Sequence, residues 1–549
     1  MKGEIGRRRR RVGAADVALV AVLALALALR LDGISWGLPY SFVNVDESMV
    51  VPRAFAAARG HVNPQFFYYP AFYFYLLGAV YLLATPVWWV LHQANFLAQG
   101  SFVVDAGPYF LLGRLVSAAM GTASVYLVYR LGRVAFGRPA GLLAALFLAV
   151  VPLHVAYSHM AVTDMTASAL SLAAFALLLA AATGAGRRCL VWGAVVAGVA
   201  TSTKYNLGLL VLPATIAAVY ACGGEARGRV AAGGRAALVW LRLLVMRVYL
   251  PMLLAFVAAS PFVLLDAGHF LRDFSRQNEI MSRGWLGFEN AGNGFWFNLS
   301  VNLTGALGIV LLVLALAGVA WAIWRRTALD ALIVPYTIVY LIYIGTWKEL
   351  ADRYLLPVIP LLVLLAMRCC VEAVELAPRA RRAVVFGAFL LLAVAIVAPL
   401  TATIDYDRSL AGSDTRALAK AWIEGHLAAG STIAVENYGP PLVRMPDVPF
   451  YRAEGRDPAA FVVWRLALPA PGTPDSARNV GELRRRAVDY VVVSSRVYER
   501  VFAAAATYPA MADFYRQLDD QAVLVREFRP GAGERGPVLK LYRLSDGDR

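Results

Sequence analysis

Apolar runs of about twenty residues recur along the chain, with polar residues gathered in the gaps between them, a length that matches the hydrocarbon thickness of a bilayer. They fall near residues 14–31, 70–91, 110–129, 139–157, 165–183, 189–203, 206–222, 244–265, 301–324, 330–347, 354–370 and 383–401. The pattern predicts an α-helical polytopic membrane protein. Basic residues precede the apolar stretch Val17–Leu29 in the manner of a signal peptide, but no small-residue cleavage site follows, so an uncleaved first span is expected. After Leu400 the periodicity changes. "SDTRALAKAWIEGHLAAG" (413–430) reads as an amphipathic helix with Ser413 or Asp414 as N-cap. "STIAVE", "DYVVVSS" and "PVLKLYRL" read as short strands separated by glycine, proline and charge. The organisation expected is a membrane domain over 1–402, with a first outer loop at 32–108, and a C-terminal α/β domain over 403–549.

Composition agrees: 60% of the 549 residues are hydrophobic and 16% are charged. The formal charge of +16 does not imply nucleic acid, because no basic patch is interleaved with aromatic residues. Basic clusters lie instead between apolar runs, at Arg7–Arg11, Arg130/Arg133/Arg138, Arg187/Arg188, Arg325/Arg326 and Arg379/Arg381/Arg382. That is the distribution of cytoplasmic loops facing anionic membrane lipids. If all twelve runs crossed, several clusters would fall on the wrong side. If the tyrosine-rich run 70–91, interrupted by Pro86, stays on or dips into the outer face, about eleven spans remain and every cluster becomes cytoplasmic. The same topology gathers on the outer side residues 32–108, 157–164, Lys204 with Tyr205, 266–300, 348–353 and the C-terminal domain. Cys189, Cys222, Cys369 and Cys370 have no metal-type spacing and sit in or at the ends of apolar runs, so no disulfide framework follows.

Asp46 and Glu47, in "NVDESMVVPRA" (44–54), are adjacent carboxylates at this outer face. They admit three readings: a helix N-terminus favoured by the macrodipole, a cation site, or a general base with an assisting acid. Close by, "NPQFFYYPAFYFYLLG" (63–78), with Tyr68 and Tyr69, offers an aromatic wall of the kind found at membrane interfaces or around sugars. In "PLHVAYSHMAVTDMTAS" (152–168), His154 and His159 fall on different helix faces and make a poor metal pair. Asp164 there opens the next span, as an N-cap or as a partnered functional acid. Lys204, in "STKYN", is one of only five lysines. It suits a phosphate partner, or it snorkels at the interface. "WKELADRYLLPVIP" (347–360) adds Lys348, Arg353 and Tyr354, and arginine can grip a phosphate with two donors.

The ordered set of the Asp-Glu pair, "YYPAFYFYL", "PLHVAYSHMAVTD", "STKYN", "SPFVLLD" (260–266) and "DRYLLPVIP" resembles bacterial family-39-like glycosyltransferases of the GT-C class, relatives of protein O-mannosyltransferases and aminoarabinose transferases. The likeness extends over most of residues 10–400. "DTRALAKAWIEGHLAAGSTIAVE" also resembles the outer domain of some bacterial members. The Trp-Trp-Asp motif of oligosaccharyltransferase catalytic subunits is missing, since Val90 follows Trp88 and Trp89. The resemblance implies inverting transfer of a sugar from a polyprenyl-phosphate donor to a protein, lipid or polysaccharide acceptor, at the outer face of a bacterial plasma membrane. It implies Asp46 as catalytic acid position with Glu47 beside it, Asp164 as second acid, and Lys204, Arg353 and Tyr354 toward the donor phosphate. His159, Tyr68, Tyr69 and Tyr205 are expected near substrate. No cofactor is implied beyond a divalent ion, which some GT-C enzymes use and others do not. The rival from another class is a transporter or lipid flippase, whose acids usually lie at the bilayer midplane on broken helices. A scaffold for envelope assembly would tolerate Asp46→Asn.

Overall fold

The computed structural model describes residues 13–40, 44–231, 235–378, 381–469 and 475–544. The basic cluster Arg7–Arg11 and Arg379 lie outside the described residues. The first half of the chain is helical: α1 (Ala14–Leu31), α2 (Val45–Ala58), α3 (Phe72–His92), α4 (Gln99–Val104), α5 (Gly107–Phe136), α6 (Arg138–Val150), α7 (Pro152–Ser158), α8 (Thr163–Ala182) and α9 (Arg187–Thr201). Long helices at 211–231, 236–259, 309–325, 328–345, 359–375 and 381–410 complete the bundle. α8 is buried on most of its surface and forms the centre, whereas α1 and the 381–410 helix present apolar side chains outward. That inside-out apolarity is what a lipid solvent permits.

Among the described residues, eight helices are long and apolar enough to cross a membrane, or up to ten if two bent pairs each count as one span. The first pair, α6 and α7, turns by 62° where Pro152 removes a helical donor. The second turns by 114° at Gly308, whose φ of +73° suits glycine. α9, with 15 residues, and the 359–375 helix, with 17, correspond to the remaining apolar runs. The expectation of eleven spans therefore requires both of these short helices to cross and α3 to stay out. α5 and α6 approach closely because Gly132 and Gly141 face each other: a Cβ on Gly132 would lie 2.7 Å from the Gly141 Cα. Small residues of this kind let helices pack tightly in a membrane.

The last long helix continues to Leu410, so the C-terminal unit starts later than the expected 403. Asp414 caps its first helix (Thr415–His426), accepting from the Arg416 amide at 2.9 Å. Among the described residues five strands follow: β1 (Thr432–Glu436), β2 (Val462–Leu466), β3 (Tyr490–Ser494), β4 (Ala522–Phe528) and β5 (Leu539–Leu544). Their order is β2-β1-β3-β5-β4, with β1 parallel to β2 and β3, and β5 antiparallel to β3 and β4. Helices pack over this sheet in an α/β arrangement, as the sequence pattern predicts.

Candidate active site

The chain builds its site at one end of the bundle. Asn44 caps α2, its side-chain oxygen accepting from the amides of Asp46 (2.9 Å) and Glu47 (3.3 Å). Successive helix residues point about 100° apart, so the two carboxylates part company. Asp46 faces a cavity, where one oxygen accepts from the Tyr69 hydroxyl at 3.0 Å and the other pairs with Arg353. Glu47 turns inward and is fully buried. Arg114 grips both its oxygens at 2.8 Å, and the Ala161 amide donates to it at 2.8 Å. Arg114 also donates to the carbonyls of Ile34 and Trp36. Glu47 thus stands away from the cavity and pins α2 to α5 and to the turn before α8, the position of a positioning residue rather than a catalytic one.

α8 and α9 run antiparallel, so the start of one meets the end of the other. There Asp164, in the first turn of α8, pairs with Lys204, and both are buried. Burial lowers the Lys204 pKa, and Asp164 opposes that effect. The Lys204 ammonium lies 4.8 Å from the centre of the Tyr354 ring, and the Arg353 guanidinium 5.5 Å from the same ring. Arg353 and Tyr354 are carried by a short turn (Asp352–Leu355) between the 328–345 and 359–375 helices. Burial weakens the charge of Arg353, but Asp46, Tyr69, Tyr354 and Glu349 hold its pKa well above the ordinary arginine value. Burial, then Asp46, push the Tyr69 phenol up, so it remains a protonated donor.

Asp46, Asp164, Lys204, Arg353, Tyr354 and Tyr69 therefore form one cluster of two acid–base pairs around an aromatic ring. The cavity beside it encloses about 1150 Å³ between the bundle and the C-terminal domain. Asp46, Tyr68, Tyr69, Arg353 and Tyr354 line it, whereas Asp164 and Lys204 lie behind its wall. Two expected substrate contacts belong to the frame instead. His159 is buried with its ring nitrogens 2.9 and 2.8 Å from the carbonyl oxygens of Val155 and Asp32. Tyr205 donates to the Phe67 carbonyl at 3.0 Å and meets Phe270 and Phe274 edge-on or tilted, bracing the aromatic segment from outside the cavity.

Sequence reasoning missed Glu349, a buried carboxylate on the cavity wall 3.8 Å from Arg353. Its signal was the polar segment 348–353 at the mouth of a span. It also missed Tyr157, which donates to Asp352 at 2.9 Å and lines the cavity. Among the described residues no group of three or more His, Cys, Asp or Glu side chains could hold a metal ion. Asp46 is paired with Arg353 and Asp164 with Lys204.

Residues 94–264 match the family described as Dolichyl-phosphate-mannose-protein mannosyltransferase. No curated protein matches the sequence. Among solved structures, the chain is similar to ArnT from Cupriavidus metallidurans bound to undecaprenyl phosphate, with 16% identity and a TM-score of 0.51 over 96% of this chain and 97% of that one. It is also similar to the archaeal oligosaccharyltransferase AglB from Archaeoglobus fulgidus, in complex with an inhibitory peptide and a dolichol-phosphate. There the identity is 13% and the TM-score 0.51, over 97% of this chain and 74% of that one. The apo form of the Archaeoglobus fulgidus oligosaccharyltransferase gives 13% identity and a TM-score of 0.53, over 98% and 75%. At such identities the likeness is one of fold, and it extends from the first membrane helix into the C-terminal sheet domain. The family match thus lies inside the bundle, at residues 94–264, and the fold shared with these membrane glycosyltransferases extends along nearly the whole chain.

Proposed function

We propose that the protein transfers a sugar, with inversion, from a polyprenyl-phosphate donor to an acceptor hydroxyl at the outer face of the bacterial plasma membrane. The observation that carries this reading is the paired cluster of Asp46–Arg353 and Asp164–Lys204 around Tyr354, at the cavity between bundle and C-terminal domain. The basic ends of the helices support the orientation. Arg133, Arg138, Arg187 and Arg325 lie at the end of the bundle opposite the site, where the positive-inside rule puts the cytoplasm.

In the chemical step the acceptor oxygen attacks C1 of the sugar as the bond from C1 to the phosphate oxygen breaks. Asp46 takes the hydroxyl proton. Charge growing on the departing polyprenyl phosphate is met by Arg353 at the cavity wall and by the field of Lys204 behind Tyr354. Without donor, Arg353 is occupied by Asp46. An arriving phosphate competes for that guanidinium, and as it draws Arg353 over, one Asp46 oxygen is released for the proton. The Tyr69 hydroxyl keeps the other oxygen oriented. Purified protein given polyprenyl-phosphate sugars tests this: release of polyprenyl phosphate is expected, and a protein that binds but never cleaves any such donor would contradict it.

A further inference from the structure

The carboxyl ends of the three parallel strands all point into the cavity. Tyr438 follows β1, Leu468 follows β2 and Arg496 follows β3, and each of them lines it. In open α/β sheets that edge is where ligands bind. Here it faces Asp46 across the cavity, so the C-terminal domain forms a second wall of the same site.

This wall carries charge without acidic partners. Arg496 and Arg500 are four apart on the Ser495–Ala503 helix, a like-charge pair that destabilises a helix. Arg276, on the 267–283 helix, and Arg535 join them around the cavity. None of the four forms an ion pair among the described residues. Asp414, whose charge reaches Arg535, is already held by Arg416. The Arg535 guanidinium lies 5.0 Å from the Trp36 ring and 5.6 Å from the Tyr406 ring, with Nη1 buried and without a hydrogen-bond partner. In a cleft such unpaired charges focus a positive field. Guanidinium groups match carboxylate and phosphate with two parallel donors.

Aromatic side chains line the same cavity: Trp36, Trp285, Phe288 and Tyr438. Flat apolar rings beside guanidinium groups suit sugar faces bearing acidic substituents. We propose that the C-terminal domain is the acceptor-binding half of the site, and that the acceptor is an acidic glycan, a sugar chain bearing carboxylate or phosphate groups. This assignment rests on the transferase reading above, in which the donor occupies the bundle side.

Titration calorimetry on the full-length protein in detergent tests it, with tetragalacturonate and the uncharged maltotetraose as probes of equal length. The acidic tetramer is expected to bind at least tenfold more tightly. The doubly substituted variant Arg496→Gln/Arg500→Gln should lose that preference while taking up undecaprenyl phosphate as the wild type does. Equal binding of the two sugars, or an unchanged preference in the variant, would overturn the proposal. So would tighter binding of a pentaglutamate peptide or of phosphatidylglycerol vesicles than of the acidic sugar. A protein that binds tetragalacturonate through Arg496 and Arg500 but takes no undecaprenyl phosphate would support this inference and contradict the donor reading.

Discussion

Adjacent carboxylates in a helix cannot share a face, and here one serves the cavity while the other serves the frame. The pairing was visible in the sequence, but the division of labour was not. It follows from the Asn44 cap, which fixes where the helix starts and hence which acid turns toward Arg114. The two acids should therefore fail differently. Asp46→Asn keeps size and most hydrogen bonding and is expected to slow turnover about 10²–10⁴-fold, with thermal stability near wild type. Glu47→Ala leaves the Arg114 charge buried without its partner, which costs about 3–5 kcal/mol, so its loss should appear in melting temperature and yield. A stable Glu47→Ala protein with only a catalytic defect would reverse these roles. Arg353 lines the cavity and Lys204 does not, so Arg353→Ala should weaken donor binding more than Lys204→Ala. Charge-assisted hydrogen bonds of about 1.5–3 kcal/mol imply losses of roughly tenfold to a hundredfold, measured by binding of undecaprenyl phosphate. Equal affinity in both variants and wild type would remove the phosphate role. His159 and Tyr205 look like site residues in sequence because they sit at the right membrane level; only packing distinguishes a ring that faces the cavity from one that braces its wall.

At the scale of elements, apolar periodicity located nearly every membrane helix, and parity of charge, unlike length, predicts that α3 stays out of the bilayer. α3 is an unbroken helix, long and apolar enough to cross, and Pro86 does not interrupt it. Its neighbours argue for an outer position. Tyr73 at its start bonds to Ser117 of α5, and the Tyr81 hydroxyl bonds to the Tyr109 carbonyl. Trp88 near its end meets Phe96, beyond the start of α5. α3 thus runs along the first turns of α5 and away from the level of Arg114. A single cysteine placed at Gln93 should be labelled by a membrane-impermeant maleimide from outside intact spheroplasts. Reporter fusions after Arg133 and Asp414 should read cytoplasm and exterior. Labelling of Gln93→Cys only after permeabilisation would mean that α3 crosses. In the C-terminal sheet, the three strands expected from sequence, β1, β3 and β5, are the central ones. β2 and β4 are its edges, and their largely exposed residues carry no alternation to read.

For the whole molecule, the decisive feature is that the site belongs to two domains. The sequence placed Asp46, Asp164, Lys204 and Arg353 on one face, and the fold joins them through chain separations that no local pattern encodes. The arginine wall opposite was not legible at all, because its members come from two domains and lie in segments that read as ordinary solvated helix and loop. Hydrogen bonds between the two domains hold the C-terminal domain over the end of the bundle, such as Tyr508 to Glu289 at 2.6 Å and Asn290 to the Ala503 carbonyl at 2.9 Å. The central claim is that Asp46 drives transfer from a polyprenyl-phosphate sugar, and it can be tested without knowing the sugar or the acceptor. Lipid mass spectrometry would compare cells lacking the protein with cells carrying the wild type or Asp46→Asn. A polyprenyl-phosphate sugar should accumulate in the deletion and in the Asp46→Asn cells and fall in the wild type. Polyprenyl-phosphate sugars that are identical in all three would contradict the account.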